Sequence, residues 1–259
     1  GIKAFGDITR DSYMYNVMNY CGSDFVDVAT GKCNFNTAEF KSMLEYAKTL
    51  PEEIKDEDYD WENYQSQYRD NRALLMYMTI YNFQGLNYNI NGSFGEPVSW
   101  VGFPNEEKNG STVEANLSFV LSAKSKNTEG AWEFVRYYLT DEYQKDNDWG
   151  LPVSKKRLLE KSKEATQKPY YMDEDGNKVE YDESYYMNGE SITLPPLTQE
   201  QVNEVVDFIS SVKRTSFNNQ EVINIISEET AAFYSGQKSV DDVVNIIQKR
   251  VQIYVSDQM

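Results

Sequence analysis

The stretch that decides the fold is Ala73-Leu74-Leu75-Met76-Tyr77-Met78-Thr79-Ile80, an apolar run that a single threonine interrupts. A continuous apolar run of this length is typical of a strand that is buried on both faces of a parallel sheet. The residues before it, Trp61 to Arg72, are predicted to form a helix. A helix that leads directly into a buried strand favours an α/β architecture.

Beyond this run, the chain is predicted to alternate between helix and strand. A helix over Tyr81 to Ile90 and a turn over Gly92 to Pro97 come first, and Val98 to Phe103 then forms a strand that Pro104 ends. A further strand, Asn116 to Ala123, follows a polar loop. The middle of the chain therefore agrees with an α/β pattern.

Helical periodicity and capping residues mark most of the remaining sequence. The predicted helices are one after Asp11-Ser12, one from a cap at Asn36 and Glu39 to Pro51, one that Thr128 caps, Lys155 to Ala165, one after a capping box of Thr198 and Gln201, Val222 to Tyr234, and one that Ser239 begins. Between Tyr170 and Tyr181, the pair Asp175-Gly176 predicts a surface hairpin. The C-terminal third is thus predicted to be largely helical.

Composition argues against several kinds of function. The 259 residues include 25 basic and 42 acidic ones, and the formal charge of -17 repels nucleic-acid phosphates and anionic lipid. Histidine is absent, which removes the usual general base, the commonest zinc ligand and the imidazole of every Ser-His or Cys-His pair. We therefore expect no nucleic-acid binding, no cofactor and no metal.

Membrane and redox signals are weak. No stretch approaches the about 18 apolar residues that a spanning helix needs, and the first six residues do not resemble a secretory signal. The spacing of Cys21 and Cys33 permits a disulfide without requiring one.

Three segments have a distinctive combination of residues. They are Arg72-Ala73-Leu74-Leu75-Met76; the block with Val101-Gly102-Phe103-Pro104, Leu121-Ser122-Ala123-Lys124-Ser125-Lys126-Asn127 and Gly130-Ala131-Trp132-Glu133-Phe134-Val135; and the end with Glu228-Glu229, Phe233-Tyr234-Ser235-Gly236-Gln237-Lys238-Ser239 and Ile247-Gln248-Lys249-Arg250-Val251. Together they resemble the carbohydrate-type family of extracellular solute-binding proteins, the group that includes maltose-binding protein. The resemblance implies an α/β, periplasmic-binding-protein-like (type II) fold, of which this chain is mainly the C-terminal lobe.

The resemblance also implies a domain organisation. Residues 1–103 and 153–259 would build the C-terminal lobe, with its helix-rich second part, and residues 104–152 would be a crossover segment that completes the N-terminal lobe. Most of that lobe, with the export signal and the lipid-anchor Cys, is then expected upstream. The strand of the crossover segment would lack sheet partners, so we expect it to be rearranged or buried in a dimer.

The residues that follow the first predicted strand are the leading candidates for ligand contact, because open α/β sheets bind ligands at the carboxyl ends of their strands. Tyr81 or Phe83 would stack on a sugar face, and Asn82 offers both a donor and an acceptor. Alternatively, these residues begin a helix and pack inside it. Trp100 is a further aromatic candidate, with core packing as its alternative.

By resemblance, two more groups of residues face the ligand. Glu114 and Asn116 precede the returning strand, and Arg214, Ser216 and Phe217 lie between two late helices. For both groups the alternative is an ordinary solvated loop.

The function that the resemblance implies is binding without catalysis. The chain would be part of a bacterial cell-surface lipoprotein that delivers a small solute, a mono- or oligosaccharide, to the permease subunits of an ABC importer. A glycoside hydrolase is one alternative, because its paired carboxylates need no histidine. A protein-interaction module that uses the helical C-terminal third and the hairpin is another.

Overall fold

The computed structural model describes residues 1–55, 60–115, 117–146 and 150–258. The chain forms two compact units, each made of three segments. The first unit consists of Gly1–Ala4, Trp61–Trp100 and Ala115–Ser211, and the second of Phe5–Asp60, Val101–Glu114 and Val212–Met259.

Helices make up most of the regular structure in the described residues. In chain order they are α1 (Arg10–Phe25), α2 (Ala38–Lys48), α3 (Trp61–Ser66), α4 (Phe83–Asn87), a π-helix (Tyr88–Phe94), α5 (Thr128–Tyr137), α6 (Asp141–Asp146), α7 (Lys155–Glu164), α8 (Gln199–Ser211), α9 (Gln220–Tyr234) and α10 (Val240–Asp257).

Strands are short and form two-stranded sheets. They are β1 (Lys3–Phe5), β2 (Val26–Asp27), β3 (Lys32–Cys33), β4 (Ala73–Leu75), β5 (Thr112–Val113), β6 (Tyr170–Met172), β7 (Lys178–Glu180), β8 (Glu183–Met187), β9 (Glu190–Leu194) and β10 (Arg214–Thr215). β1 pairs with β4, and β2–β3, β6–β7 and β8–β9 are antiparallel hairpins. β5 and β10 run parallel, with Thr112 opposite Arg214 and Val113 opposite Thr215.

The core of the second unit forms where α10 packs against α2 and α9, and where α1 packs against the same two helices. Three aromatic rings lie at its centre, with Phe40 in edge contact, 5.0 Å between centroids, with both Phe25 and Phe35. Two glutamine side chains of α10 also bind the backbone of β3 and its flanks. Gln248 accepts from the Phe35 amide and donates to the Cys33 carbonyl, and Gln252 accepts from the Cys33 amide and donates to the Gly31 carbonyl.

The core of the first unit is smaller and is built around the segment that includes α4. Its buried residues are Phe83, Leu86, Ile90, Leu197, Val202 and Val205. Because Phe83, Leu86 and Ile90 recur at helical spacing, one face of this segment turns inward and the opposite face stays accessible.

Most of the predicted helices are confirmed with small shifts of their caps, but the helix predicted over Trp61 to Arg72 ends at Ser66. The capping box of α8 is present, since the Thr198 amide donates to Gln201 Oε1 and the Gln201 amide donates to Thr198 Oγ1. The predicted hairpin between Tyr170 and Tyr181 is β6–β7. Two predicted caps are displaced by one residue: Thr37 caps α2 instead of Asn36, and Asn127 caps α5 instead of Thr128.

The strand predictions are largely wrong in extent. The stretch predicted as a strand over residues 73–80 pairs only over β4, and the described residues do not form a continuous parallel sheet. An extended segment becomes a strand only where a neighbouring backbone satisfies its amides and carbonyls. Residues 76–80 have no such neighbour within the described chain, although Met78 and Ile80 pack against the core of the first unit. The mixed helix and strand architecture is confirmed, and the type II arrangement of the lobes stays a prediction.

The two later strand predictions are also wrong. Residues 98–102 are not in a strand, and Phe103 forms only an isolated bridge to Gly110. Residues 117–123 are irregular, and Asn116 lies outside the described residues. Instead of joining a sheet, Phe119 packs on the C-terminal end of α5, with its ring centroid 4.5 Å from that of the capping residue Tyr138. Residues 117–123 are therefore rearranged relative to the predicted strand.

Candidate functional site

The three leading candidate residues lie at the start of α4 and have different surroundings. Asn82 caps the helix, because its side-chain oxygen accepts a hydrogen bond of 2.8 Å from the Gly85 amide. Tyr81 precedes the cap and is 54% exposed, whereas Phe83 is 7% exposed and belongs to the core of the first unit. Tyr81 thus presents an accessible ring, and Phe83 anchors the helix that carries it.

α4 continues directly into the π-helix, a rare conformation that often occurs at functional sites. Gly92 permits this packing: a Cβ at that position would lie 2.6 Å from the ring of Tyr185 in β8. Arg69 donates to the carbonyl oxygens of Asn91 and Gly92 within the π-helix. Contacts with Tyr185 and Arg69 therefore hold the π-helix in place.

A polar network joins this helix to the β8–β9 hairpin. The Glu183 carboxylate accepts from Gln84 Nε2 at 2.7 Å through Oε1 and from Asn87 Nδ2 at 3.1 Å through Oε2. Gln84 Nε2 also lies 3.4 Å from the hydroxyl of Tyr88. Burial, followed by the nearby Glu183 charge, raises the pKa of Tyr88, so its hydroxyl stays protonated and able to donate. An amide, a phenol and a carboxylate are thus gathered in one place.

Trp100 is partly buried against the core of the first unit. Its ring centroid lies 5.6 Å from that of Phe208 in α8. The side chain therefore helps to pack α8 and leaves only part of its surface for any ligand.

The remaining candidates belong to the second unit, apart from Asn116, which lies outside the described residues. Glu114 is exposed and directly follows β5, and Ser216 is half-buried and directly follows β10. Because β5 and β10 are parallel and in register, these two polar residues leave the same end of the strand pair. Phe217 is buried against Gly22 of α1, and its amide donates to the Asn19 carbonyl.

Arg214 lies in β10 with its guanidinium engaged by several partners. It donates to Asn109 Oδ1 at 2.5 Å and to Ser23 Oγ at 2.6 Å, and it pairs with Asp24 at 2.8 Å. The donors of its guanidinium are therefore occupied by side chains of the second unit.

Comparison with known proteins identifies the family. Residues 5–145, more than half of the chain, match the family described as bacterial extracellular solute-binding protein. The chain belongs to the bacterial extracellular solute-binding protein family. No curated protein matches the sequence.

Members of this family bind solutes rather than transform them, and they act outside the cytoplasm. Within the part of this solute-binding protein that the structure describes, no three His, Cys, Asp or Glu side chains come together as a metal site, and no helix is both long and apolar enough to cross a bilayer. Both cysteines are free, with Cys21 buried in α1.

Sequence reasoning found the start of α4 but missed three polar residues of this solute-binding protein. Gln84 and Tyr88 are one helical turn apart on the face opposite Phe83, so helical periodicity over the predicted helix 81–90 contains the signal for them. Glu183 is 99 positions from Gln84, and no local pattern links the two.

Proposed function

We propose that this chain is the solute-binding part of an ABC importer and that its solute is a mono- or oligosaccharide. The observation that supports a sugar is the hydrogen-bonded group of Gln84, Tyr88 and Glu183 on the accessible side of the helical segment that Tyr81 precedes. The family establishes solute binding, and the chemistry of this face favours a polyhydroxylated ligand.

Each group on this face has a counterpart on a sugar. A sugar hydroxyl both donates and accepts, the carboxylate accepts two or more hydrogen bonds, and the amide and phenol can do either. The exposed ring of Tyr81 supplies the flat apolar surface that covers the C–H face of a pyranose. We therefore assign Tyr81 the stacking role.

The other predicted contacts divide by accessibility. Asn82 caps the helix that carries Gln84, and Glu114 and Ser216 offer polar groups at the end of the β5–β10 pair. Phe83, Trp100 and Phe217 are packed, and we assign them to supporting the backbone that bears the contacts. Asn116 keeps its predicted contact role.

Titration calorimetry of the chain against a panel of mono- and oligosaccharides tests the proposal. Heat of binding without turnover supports a sugar-binding protein, whereas release of a reducing end points to a glycoside hydrolase. The absence of binding heat with every sugar contradicts the carbohydrate assignment and favours a different solute or a protein partner.

Tyr81→Ala sharpens this test. Loss of one stacked ring lowers affinity by about 1 to 3 kcal/mol. Tyr186→Ala is the matched control, since that ring is also exposed in the first unit but lies three positions after Glu183 in β8, on the other face of the strand, and it should leave affinity unchanged. Equal affinities of the two variants would remove Tyr81 from the site.

We further propose that the exposed crossover segment is an interface between two copies of the chain. Eight large apolar side chains are exposed there, and at about 100 Å² each they approach the roughly 800 Å² per partner of a standard interface. They are Leu117, Phe119, Val120, Leu121, Trp132, Phe134, Tyr137 and Leu139. Sedimentation of the wild type and of Val120→Asp tests this: the wild type should be a dimer that the aspartate dissociates, and a monomeric wild type contradicts it.

Delivery to permease subunits and anchoring as a bacterial cell-surface lipoprotein complete the proposal. Stimulation of an importer's ATPase by the sugar-loaded protein, and not by the sugar alone, would support the transport role. Its absence with a sugar that binds tightly would count against it.

A further inference from the structure

Four side chains of the second unit form a closed ring of hydrogen bonds and one ion pair. Asp24 binds Arg214 through Oδ1 at 2.8 Å and accepts from Asn105 Nδ2 through Oδ2 at 3.1 Å. Asn109 Oδ1 completes the ring, because it accepts from Asn105 at 2.8 Å and from Arg214 at 2.5 Å. We call these four residues the Arg214 ring.

The ion pair of the Arg214 ring is more shielded from water than an ordinary surface pair, whereas Asn109 of the same ring is exposed. The side chains of Arg214 and Asp24 are 17% and 25% exposed, whereas those of Arg136 and Glu133 in α5 are 61% and 56% exposed. Shielded charges are less weakened by solvent and salt. The ion pair is thus able to hold Asp24 and Arg214 in a defined arrangement.

The Arg214 ring also orders the loop between Phe103 and Gly110. The Asn109 amide donates to Asn105 Oδ1 at 2.9 Å, and the Phe103 amide donates to the Gly110 carbonyl at 3.2 Å. Gly110 lies two residues before β5, and Arg214 is the first residue of β10. One ring therefore fixes the approach to both strands of the parallel pair.

The strands that the Arg214 ring approaches lie close in sequence to the points where the chain changes unit. The chain enters the second unit at Val101, leaves it after Glu114 and enters it again at Val212. β5 and β10 lie next to these passages, and the polar residues Glu114 and Ser216 follow them directly. The position of those two side chains depends on the register of a pair only two residues long.

We propose that Arg214 is a positioning residue: through the ring it sets the β5–β10 end that presents Glu114 and Ser216, instead of contacting the solute itself. This inference rests on the proposed function, because it explains how two of the predicted solute contacts are held in place. It follows from the geometry that the ring members act as a unit, so removal of any one of them has the effect of removing them all.

A double-mutant cycle with Arg214→Gln and Asn105→Ala tests the ring, with amide hydrogen exchange of Phe103 and Asn109, both of which donate within this loop, as a readout that needs no ligand. Each single variant should speed exchange at these amides about 5- to 10-fold, the equivalent of one lost hydrogen bond, and the double variant should add little more. Arg136→Gln, which breaks an exposed pair, is the matched control and should leave these amides unchanged. Unchanged exchange in both single variants, or fully additive effects, would overturn the ring.

Affinity for the sugar found by calorimetry separates positioning from contact. In a positioning role, Arg214→Gln and Asn105→Ala weaken binding by a similar factor, about 3- to 30-fold, and the double variant weakens it no further. A large loss for Arg214→Gln beside unchanged binding for Asn105→Ala would mean that Arg214 contacts the solute, which overturns the inference.

Two measures keep the outcomes distinct. If no sugar binds, the proposed function fails while the exchange cycle still decides the ring. If Arg214→Gln does not fold, Arg214→Lys replaces it, because lysine keeps the charge beside Asp24 but lacks the fork that reaches Asn109 as well. The lysine variant should then exchange like Asn105→Ala, and wild-type exchange and affinity in Arg214→Lys would overturn the proposal.

Discussion

α10 and α5 are both amphipathic helices, yet they have opposite environments. α10 buries Val243, Val244, Ile247, Val251 and Val255, whereas α5 buries none of its residues. The apolar face of α10 packs on α9 and α2 of the same unit. The apolar face of α5 meets only a few rings of its own neighbourhood, such as Phe119. The helical spacing of apolar residues thus indicates that a helix has an apolar face. Whether that face is buried depends on the rest of the chain.

The largest expected effect lies in the buried face of α10. Ile247 is fully buried, so Ile247→Ala removes apolar contacts and leaves a cavity that costs about 2 to 5 kcal/mol of unfolding free energy. Ile253 lies on the same helix and is 63% exposed, so Ile253→Ala should change stability by less than about 0.5 kcal/mol. Urea unfolding of both variants measures the difference, and equal losses would contradict the assignment of the two faces.

A smaller effect is expected where α10 binds β3 through its glutamines. Gln248→Ala leaves the Phe35 amide and the Cys33 carbonyl without their side-chain partner, which costs about 1 to 3 kcal/mol. Gln258→Ala, at the exposed C-terminal cap of the same helix, is the control. If the two substitutions lowered the melting temperature by the same small amount, the hydrogen bonds from Gln248 to the backbone around β3 would contribute nothing measurable to stability.

The smallest effect is expected on α5. Phe134 is largely exposed, so Phe134→Ala should alter the unfolding free energy of the isolated chain by less than about 0.5 kcal/mol. The same change should weaken the proposed dimer, because exposed apolar area in that segment supplies the interface. Unfolding and sedimentation of this one variant therefore test whether the apolar face of α5 is exposed, in contrast to that of α10. A stability loss as large as that of Ile247→Ala would show that the face of α5 is buried within its own unit.

Helices were predicted well because their signals are local. The capping box of Thr198 and Gln201 and the apolar spacing of α9 and α10 involve residues at most a few turns apart, and the backbone hydrogen bonds of a helix close within the same segment. Boundary errors of one residue, as at Thr37 and Asn127, arose because neighbouring polar residues are equally good caps.

Strands were predicted poorly because their hydrogen bonds depend on distant residues. The run 73–80 has the composition of a buried strand, but only Ala73–Leu75 finds a partner, at Lys3–Phe5. The strand predicted over Asn116 to Ala123 fails in its described part for the same reason. Conversely, the two-residue pair of β5 and β10 has no signal in either stretch of sequence, since it joins residues about a hundred positions apart.

The candidate site shows the same division. Sequence placed Tyr81 and Asn82 at the start of a helix, and the structure confirms that location while leaving their contact with a solute as a proposal. Accessibility decided between rings that look alike in sequence: Tyr81 is exposed, and Phe83, two positions later, is buried. The link from Gln84 to Glu183 and the ring around Arg214 depended on tertiary contacts throughout.

By itself, the sequence determined the charge, the helices with their caps, the absence of histidine chemistry and the resemblance to solute-binding proteins that the family match confirmed. Only the tertiary structure decided which apolar faces are covered, which short strands pair and which polar side chains meet. The physical reason is range: helix formation and capping are settled within a few residues, whereas burial, strand pairing and side-chain networks depend on groups that the chain brings together from far apart.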